Sequence, residues 1–152
     1  MVHSMGHRNP QGLGWDDAGR LYSSELGDNT WDEVNLIEPG ENHGWPVCEG
    51  ECGNAEFVDP LVTWPTSEAS PSGLAVHDGH LHVAALRGQQ LWQVPLTGDG
   101  SVGEPAALFQ GEHGRLRTPV SAPDGTLWGT TSNRDGNGTP GPDDDQVLRV
   151  TR

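Results

Sequence analysis

Apolar and polar residues alternate along three separate stretches of the chain, and each stretch contains a turn with Asp and Gly. The first reads GLGWDDAGRLYSSEL and continues with DEVNLIEPG; the second reads GLAVHDGHLHVAAL and continues with QQLWQVPL and EPAALFQG; the third reads PVSAPDGTLWGTTS and continues with DQVLRVT. A period of two residues is typical of strands with one buried face, and Asp-Gly between two such runs favours a hairpin. Because no window sustains a period of 3.6 residues, the pattern predicts an all-β chain.

Each stretch forms a repeat of about four strands, and repeats of roughly 45–60 residues are typical of the blades of a β-propeller. We therefore predict one domain over residues 1–152, a partial β-propeller of about three four-stranded antiparallel blades, with long loops at 38–60 and 132–145. Three blades do not close a ring. We expect the C-terminal half of a six-bladed propeller, which a missing N-terminal half or a second copy would complete. A dense polar motif begins at Gly6, almost at the start of the sequence and with no strand before it, which favours a chain that begins inside a larger protein.

Composition and charge narrow the class of protein. Only 32% of the residues are hydrophobic, but six Trp, 22 Gly and 12 Pro favour a loop-rich β-domain over a disordered chain. The net charge of −14 makes nucleic acid and anionic membranes poor partners. No apolar run approaches the length of a membrane span.

Two cysteines, Cys48 and Cys52, enclose the short sequence Glu-Gly-Glu. A disulfide, two free thiols and a metal site are all compatible with this spacing, although a metal site would want further soft ligands. A disulfide would indicate an oxidising compartment, which means an extracellular or periplasmic protein.

The motif GHRNPQGL places a cation and two amides within four positions, namely Arg8, Asn9 and Gln11. Pro10 keeps this segment extended, and its polar groups can donate hydrogen bonds to a ligand rich in carboxylates and carbonyls. The alternative is a polar turn that caps a strand.

Acidic and amide side chains are concentrated in SELGDNTWDEVN, residues 24–35. Calcium binds six to eight oxygen ligands, and Gly27 would let backbone carbonyls turn inward. The spacing does not follow the EF-hand rule, so a solvated acidic loop is the alternative.

Arg115 and Arg117 flank Leu116 at the start of the third repeat. Alternation along a strand would put both guanidinium groups on one side of it, away from Leu116. They could hold an anionic ligand or balance acidic neighbours on a solvated face.

These segments together resemble the soluble glucose/sorbosone dehydrogenase family, which includes the bacterial aldose sugar dehydrogenases. GHRNPQGL and SSELGDNTWDEVNLIEPGENHGWP carry most of the resemblance, and GRLRTPVSAPDGTLW and TSNRDGNGTPGPDDDQVLRV support it. The family's members are six-bladed propellers that use pyrroloquinoline quinone (PQQ) and calcium to oxidise aldose sugars to lactones. The resemblance implies the same fold, oxidoreductase function, cofactors and substrate class here.

The resemblance also implies roles for individual residues. The carbonyls of Gly27 and Asp28 would hold the calcium that PQQ chelates. Glu33 would bind a second, structural calcium, with the carbonyl of His43 as a companion ligand. The pocket for PQQ would be lined by Arg8, Asn9, Gln11, Arg115 and Arg117.

Two departures from the family pattern concern the cofactor pocket. Members with a cofactor-contacting Lys carry it near the segment Ala85-Leu86-Arg87-Gly88, whereas this chain contains no Lys. Arg87 is the candidate substitute, although guanidinium and ammonium groups are not interchangeable. Thr118-Pro119 stands where the family usually has Asp-Val.

The family's catalytic His lies in the N-terminal half, upstream of this sequence, so no residue here is assigned as the base. We expect the isolated chain to be inactive even if the full-length protein is an enzyme. The alternative function is a non-catalytic extracellular propeller module that binds protein or glycan.

Overall fold

The computed structural model describes residues 1–151, which form eleven β-strands joined by turns and loops. The strands are β1 (Pro10–Trp15), β2 (Leu21–Glu25), β3 (Trp31–Ile37), β4 (Val62–Pro65), β5 (Pro71–His77), β6 (His80–Ala85), β7 (Gln90–Pro95), β8 (Ala106–Leu108), β9 (Leu116–Ser121), β10 (Leu127–Thr131) and β11 (Val147–Val150).

The strands form three antiparallel sheets, with the orders β1-β2-β3-β4, β5-β6-β7-β8 and β11-β10-β9. The all-β prediction is confirmed, and the first two sheets have the expected four strands. The third sheet has three strands within residues 1–151, because β11 pairs with β10 and no further strand follows it there. No helix capable of crossing a membrane occurs in this part of the chain.

The three Asp- and Gly-containing turns lie between the first two strands of each sheet, as the alternation predicted. Asp78 and Gly79 both have positive φ and join β5 to β6 as a two-residue loop, which matches the twist of a hairpin. Gly19 and Gly125 also adopt positive φ. Local turn chemistry therefore fixes the start of each sheet.

The first strands of the three sheets lie side by side. A Cβ on Gly12 would collide with the backbone nitrogen of Leu74, and one on Gly73 would lie 3.0 Å from the carbonyl oxygen of Arg117. Ser24 Oγ donates a hydrogen bond of 2.6 Å to the carbonyl of Ser72. β1, β5 and β9 therefore pack backbone to backbone around a common axis, as the blades of a propeller do.

The main core lies between the first and second sheets. Tyr22, Val34 and Leu81 are fully buried there, and the rings of Trp64 and Trp92 stack at 5.2 Å. A smaller cluster that contains Leu91, Leu116 and Leu127 joins the second sheet to the third.

The other face of the first sheet is open and apolar. Leu13 and Trp15 point from β1 into a groove of about 760 Å³ and remain 54% and 58% exposed. An apolar sheet face of this kind is normally covered by another element.

Candidate functional site

The candidate residues lie at one end of the sheets. In each sheet the start of the first strand pairs with the end of the second, as Pro10 does with Glu25, Pro71 with Ala85, and Leu116 with Thr131. Since the first strands run side by side, this end gathers the segments before β1 and β9 and the β2–β3, β6–β7 and β10–β11 loops. It therefore carries eight of the ten residues that the sequence singled out. The other two are Glu33, within β3, and His43, between β3 and β4.

The side chain of Arg8 contacts the β2–β3 loop at several points. Its Nη1 donates to the carbonyl oxygens of Leu26 and Gly27 at 3.2 and 2.6 Å, and its Nη2 lies 3.0 Å from Asp28 Oδ1. The guanidinium carbon lies 5.7 Å from the centroid of the Trp45 ring, within cation–π distance. The structure thus brings Arg8 onto the two residues predicted as calcium ligands.

Glu25 holds the segment that contains Arg8. Its buried carboxylate accepts hydrogen bonds from the backbone nitrogens of Arg8 and Asn9, the latter at 3.0 Å, and lies 3.0 Å from His7 Nδ1. On the other side of that ring, Nε2 lies 2.8 Å from Ser4 Oγ. These two contacts hold the His7 ring in place.

Asn9 and Gln11 lie at the start of β1, where Gln11 Nε2 donates a hydrogen bond of 2.6 Å to Asn9 Oδ1. Gln11 is exposed and Asn9 is half-buried. The contact uses one N–H of the Gln11 amide and the Asn9 oxygen, so the Gln11 oxygen and the Asn9 NH₂ group are not engaged by it.

Gly27 is required by the close approach of its own loop. A Cβ there would collide with the carbonyl oxygen of Trp31. Its backbone nitrogen donates at 2.9 Å to Asp32 Oδ1, while Asp32 Oδ2 accepts at 2.6 Å from the backbone nitrogen of Ser70. Burial raises the pKa of Asp32, although both backbone hydrogen bonds act in the opposite direction. Asp32 thus ties the β2–β3 loop to the segment that leads into β5.

Cys48 and Cys52 form a disulfide, with their Cα atoms 5.5 Å apart, which resolves the alternatives that the spacing left open. The hairpin that it closes points Glu49 at the β2–β3 loop. One carboxylate oxygen of Glu49 accepts hydrogen bonds from four consecutive backbone nitrogens, those of residues 28–31.

Glu33 and His43 lie buried beneath this loop. Glu33 Oε1 accepts at 2.6 Å from the backbone nitrogen of Gly50, and Oε2 accepts at 3.2 Å from Asn35 Nδ2. Burial raises the pKa of Glu33, and the nearby carboxylate of Glu25, directly opposite on β2, adds to that rise. Asn35 Oδ1 is buried without a hydrogen-bond partner among residues 1–151. Both the Glu33 carboxylate and Asn35 Oδ1 are oxygen groups of the kind that bind a cation.

His43 stacks on His7 with the ring centroids 4.6 Å apart. It is 5% exposed, and neither ring nitrogen has a hydrogen-bond partner within residues 1–151; the nearest carboxylate, that of Glu41, is 3.9 Å from Nε2. Burial lowers the pKa of His43 to about 4. The ring is therefore neutral at neutral pH and serves as packing.

The three remaining arginines differ in their surroundings. Arg115 precedes β9, and its guanidinium binds Asp135 of the β10–β11 loop at 2.9 Å. Arg117 and Arg87 are exposed and form no ion pair with any residue of 1–151. Arg115 and Arg117 thus lie at the same strand start, but only Arg117 is free of an acidic partner.

Sequence reasoning did not identify three carboxylates that organise this end. Glu25 and Asp32 were grouped with possible calcium ligands, whereas both accept hydrogen bonds from backbone nitrogens. Glu49 received no role. Its position inside the Cys-Glu-Gly-Glu-Cys loop was the available signal, since a short covalent loop presents its side chains in a fixed direction.

Comparison with known proteins supports the sequence resemblance. A structure of the PQQ-bound aldose sugar dehydrogenase of Streptomyces coelicolor is 51% identical and superposes on 97% of this chain with a TM-score of 0.92. Aldose sugar dehydrogenase YliI of Escherichia coli is 27% identical over 159 residues, covering 89% of this chain. A stretch of 49 residues, 32% of this chain and 10% of the relative, is 51% identical to quinoprotein glucose dehydrogenase B of Acinetobacter calcoaceticus.

The chain spans less than half of these proteins, 44% of the Streptomyces structure and 42% of the Escherichia protein. The superposition confirms the propeller fold predicted from the repeats. The sequence pattern of the Glucose / Sorbosone dehydrogenase family matches residues 1–140. With a match over most of its 152 residues, the chain belongs to the glucose/sorbosone dehydrogenase family.

Proposed function

We propose that this chain is the cofactor-binding portion of a quinoprotein that oxidises aldose sugars to lactones with PQQ and calcium. The observation that carries the proposal is the meeting of Arg8 with the carbonyl of Gly27 at the end of the sheets. The guanidinium group of Arg8, which would bind an anionic cofactor, thus lies next to the carbonyl of Gly27, which would bind a cation. Both lie near the start of β1.

PQQ carries several carboxylates, so a site for it needs a divalent cation and several hydrogen-bond donors. Arg8, Asn9 and Gln11 would supply donors from the first sheet, and Arg87, Arg115 and Arg117 from the second and third. Arg87 and Arg117 are exposed at this end and unpaired within residues 1–151, which suits an anionic ligand in a chain of net charge −14. When bound, PQQ would supply the redox step by accepting hydride.

The carbonyls of Gly27 and Asp28 would bind the calcium that contacts PQQ. A carbonyl oxygen has two lone pairs, so the hydrogen bond from Arg8 leaves the Gly27 oxygen a second direction for a cation. Glu33, with the His43 carbonyl, would bind a second calcium. The buried, unpaired Asn35 Oδ1 beside Glu33 supports a cation there.

A larger assembly fits this function better than the chain alone. Leu13 and Trp15 lie on an exposed apolar sheet face that further blades would cover, and the relatives are more than twice as long. We assign no catalytic base within residues 1–152 and expect no sugar oxidation without the remaining blades. The disulfide favours an extracellular or periplasmic setting.

Titration of PQQ into the purified chain, followed by tryptophan fluorescence with calcium or with a calcium chelator, tests the proposal. We expect weak binding that requires calcium and tightens when a polypeptide supplying the N-terminal blades is added. Calcium-independent binding would contradict it. So would the absence of binding in the presence of the added blades, which would favour the non-catalytic binding module.

A further inference from the structure

The disulfide hairpin at residues 48–52 makes an unusual contact with the β2–β3 loop. Glu49 Oε1 accepts hydrogen bonds from the backbone nitrogens of Asp28, Asn29, Thr30 and Trp31, at 2.8, 3.1, 3.0 and 3.0 Å. Four consecutive N–H groups that converge on one oxygen form a concave anion site in the backbone. The occupant of that site is a carboxylate from the same chain, 18 to 21 residues away in sequence.

The charge of Glu49 suits this position. Burial opposes ionisation of the carboxyl, but the backbone hydrogen bonds together outweigh it and lower the pKa of Glu49 below its ordinary value. The carboxylate is therefore ionised throughout the neutral range. Charge-assisted hydrogen bonds are about twice as strong as neutral ones, so an ionised Glu49 holds the loop more firmly than a neutral group would.

The hairpin itself is held on several sides. Gly44 has φ +94°, and a Cβ there would lie 2.6 Å from Cys52 Sγ, so the disulfide rests directly on this glycine. Gly50 donates at 2.6 Å to Glu33 Oε1, and Cys52 donates from its backbone nitrogen at 2.7 Å to Asp59 Oδ1. Glu49 thus projects from a covalently closed and anchored loop.

The 28–31 backbone directly follows Gly27, the residue whose carbonyl meets Arg8. Gly27 donates to Asp32 and accepts from Arg8, while Glu49 occupies the amides that follow. Without Glu49, four N–H groups would lose their shared acceptor, and the peptide planes that follow Gly27 would be held less firmly.

We propose that Glu49 is a positioning residue: its carboxylate, presented by the Cys48–Cys52 hairpin, fixes the 28–31 backbone and so holds the Gly27 carbonyl in place for the cofactor site. The link to the cofactor rests on the proposed function, whereas the link to the loop rests on the hydrogen bonds alone.

Amide hydrogen exchange of the ligand-free chain tests the first link. Glu49→Gln should speed exchange at residues 28–31 by about tenfold or more, the factor expected for weakening one charged hydrogen bond. Glu51→Gln makes the same charge change two positions away, on an exposed side chain, and should leave exchange unchanged. Slow exchange across β6 in each variant verifies that the core is folded. Wild-type exchange at 28–31 in Glu49→Gln would overturn the proposal.

Two further variants extend the test. If Glu49→Gln does not fold, Glu49→Asp, which shortens the side chain by one methylene, should still speed exchange at 28–31 and not in β6. Cys48→Ser combined with Cys52→Ser should speed exchange at the same residues, because the hairpin would no longer present Glu49 in one direction. Unchanged exchange at 28–31 in either variant would overturn the proposal.

PQQ titration with calcium tests the second link. We expect Glu49→Gln to weaken PQQ affinity by about tenfold and Glu51→Gln to leave it unchanged. Faster exchange with unaltered affinity would overturn the role of Glu49 in the site. If the wild-type chain binds no PQQ even with the remaining blades, the proposed function fails while the exchange result still decides the positioning of the loop.

Discussion

Replacement of Asp32 by Ala should destabilise the junction between the first and second sheets. Asp32 is fully buried, and its two carboxylate oxygens accept hydrogen bonds from the backbone nitrogens of Gly27 and Ser70. Alanine would leave both donors without this acceptor, the one in buried Gly27 and the other in half-buried Ser70. When a buried donor loses its partner, no hydrogen bond offsets the free-energy cost of removing that donor from water.

The magnitude follows from the two hydrogen bonds. Each hydrogen bond to a charged group contributes about 1.5–3 kcal/mol, so their sum is about 3–6 kcal/mol. Burial raises the pKa of Asp32, which means that the folded state already bears a cost for the ionised carboxylate. We therefore expect the lower end, about 3 kcal/mol, for Asp32→Ala, and about 1–2 kcal/mol for Asp32→Asn, which keeps one acceptor.

Urea unfolding followed by tryptophan fluorescence at neutral pH measures the loss of stability in both variants. The dependence of the unfolding free energy on urea concentration should be the same as in the wild type, because a different slope would mean that the unfolded state has changed. Asp17→Ala provides the matched control, since Asp17 is exposed in the first hairpin turn and should change stability by less than about 0.5 kcal/mol. Equal stabilities of Asp32→Ala and Asp17→Ala would refute the reasoning.

Three further changes probe the same end of the molecule. Gly27→Ala should abolish calcium-dependent PQQ binding, because its Cβ would collide with a backbone carbonyl; Gly129→Ala, which meets no atom within 4 Å, should not. Burial lowers the pKa of His43 from 6.5 to about 4, so this group alone should contribute a loss of about 3 kcal/mol of stability as the pH drops through that window. Urea unfolding at both ends of the window should therefore show a smaller fall in His43→Phe than in the wild type. Reduction of Cys48–Cys52 should cost about 2 kcal/mol in the same assay, the entropy of a five-residue loop, and no change would contradict this.

The sequence predicted the parts of the fold that depend on near neighbours. Asp78-Gly79 lies between two alternating runs, and the turn and both strands follow from those residues alone. β4 was not identified, because it is short, ends in Pro65, and pairs with β3 across a loop of more than twenty residues. Its pairing is a long-range property that alternation does not encode.

The residues of the candidate site also differ in how far they could be predicted from local sequence. Arg8 and Gly27 could be singled out as candidates because each stands in a dense local motif. The pairing of Arg115 with Asp135 was not foreseen, since it depends on how the β10–β11 loop folds back over the start of β9. Glu49 was missed for a similar reason: its four partners are remote in sequence and contribute only backbone, which carries no side-chain signature.

The stacked rings of Trp64 and Trp92 provide a spectroscopic probe for the packing of the first two sheets against each other. Trp64 belongs to β4 and Trp92 to β7, so their 5.2 Å stack exists only when the first two sheets are docked. Indole rings this close couple their electronic transitions, which produces a paired band in circular dichroism separate from that of the strands. The band would therefore report the joining of two blades independently of the formation of either one.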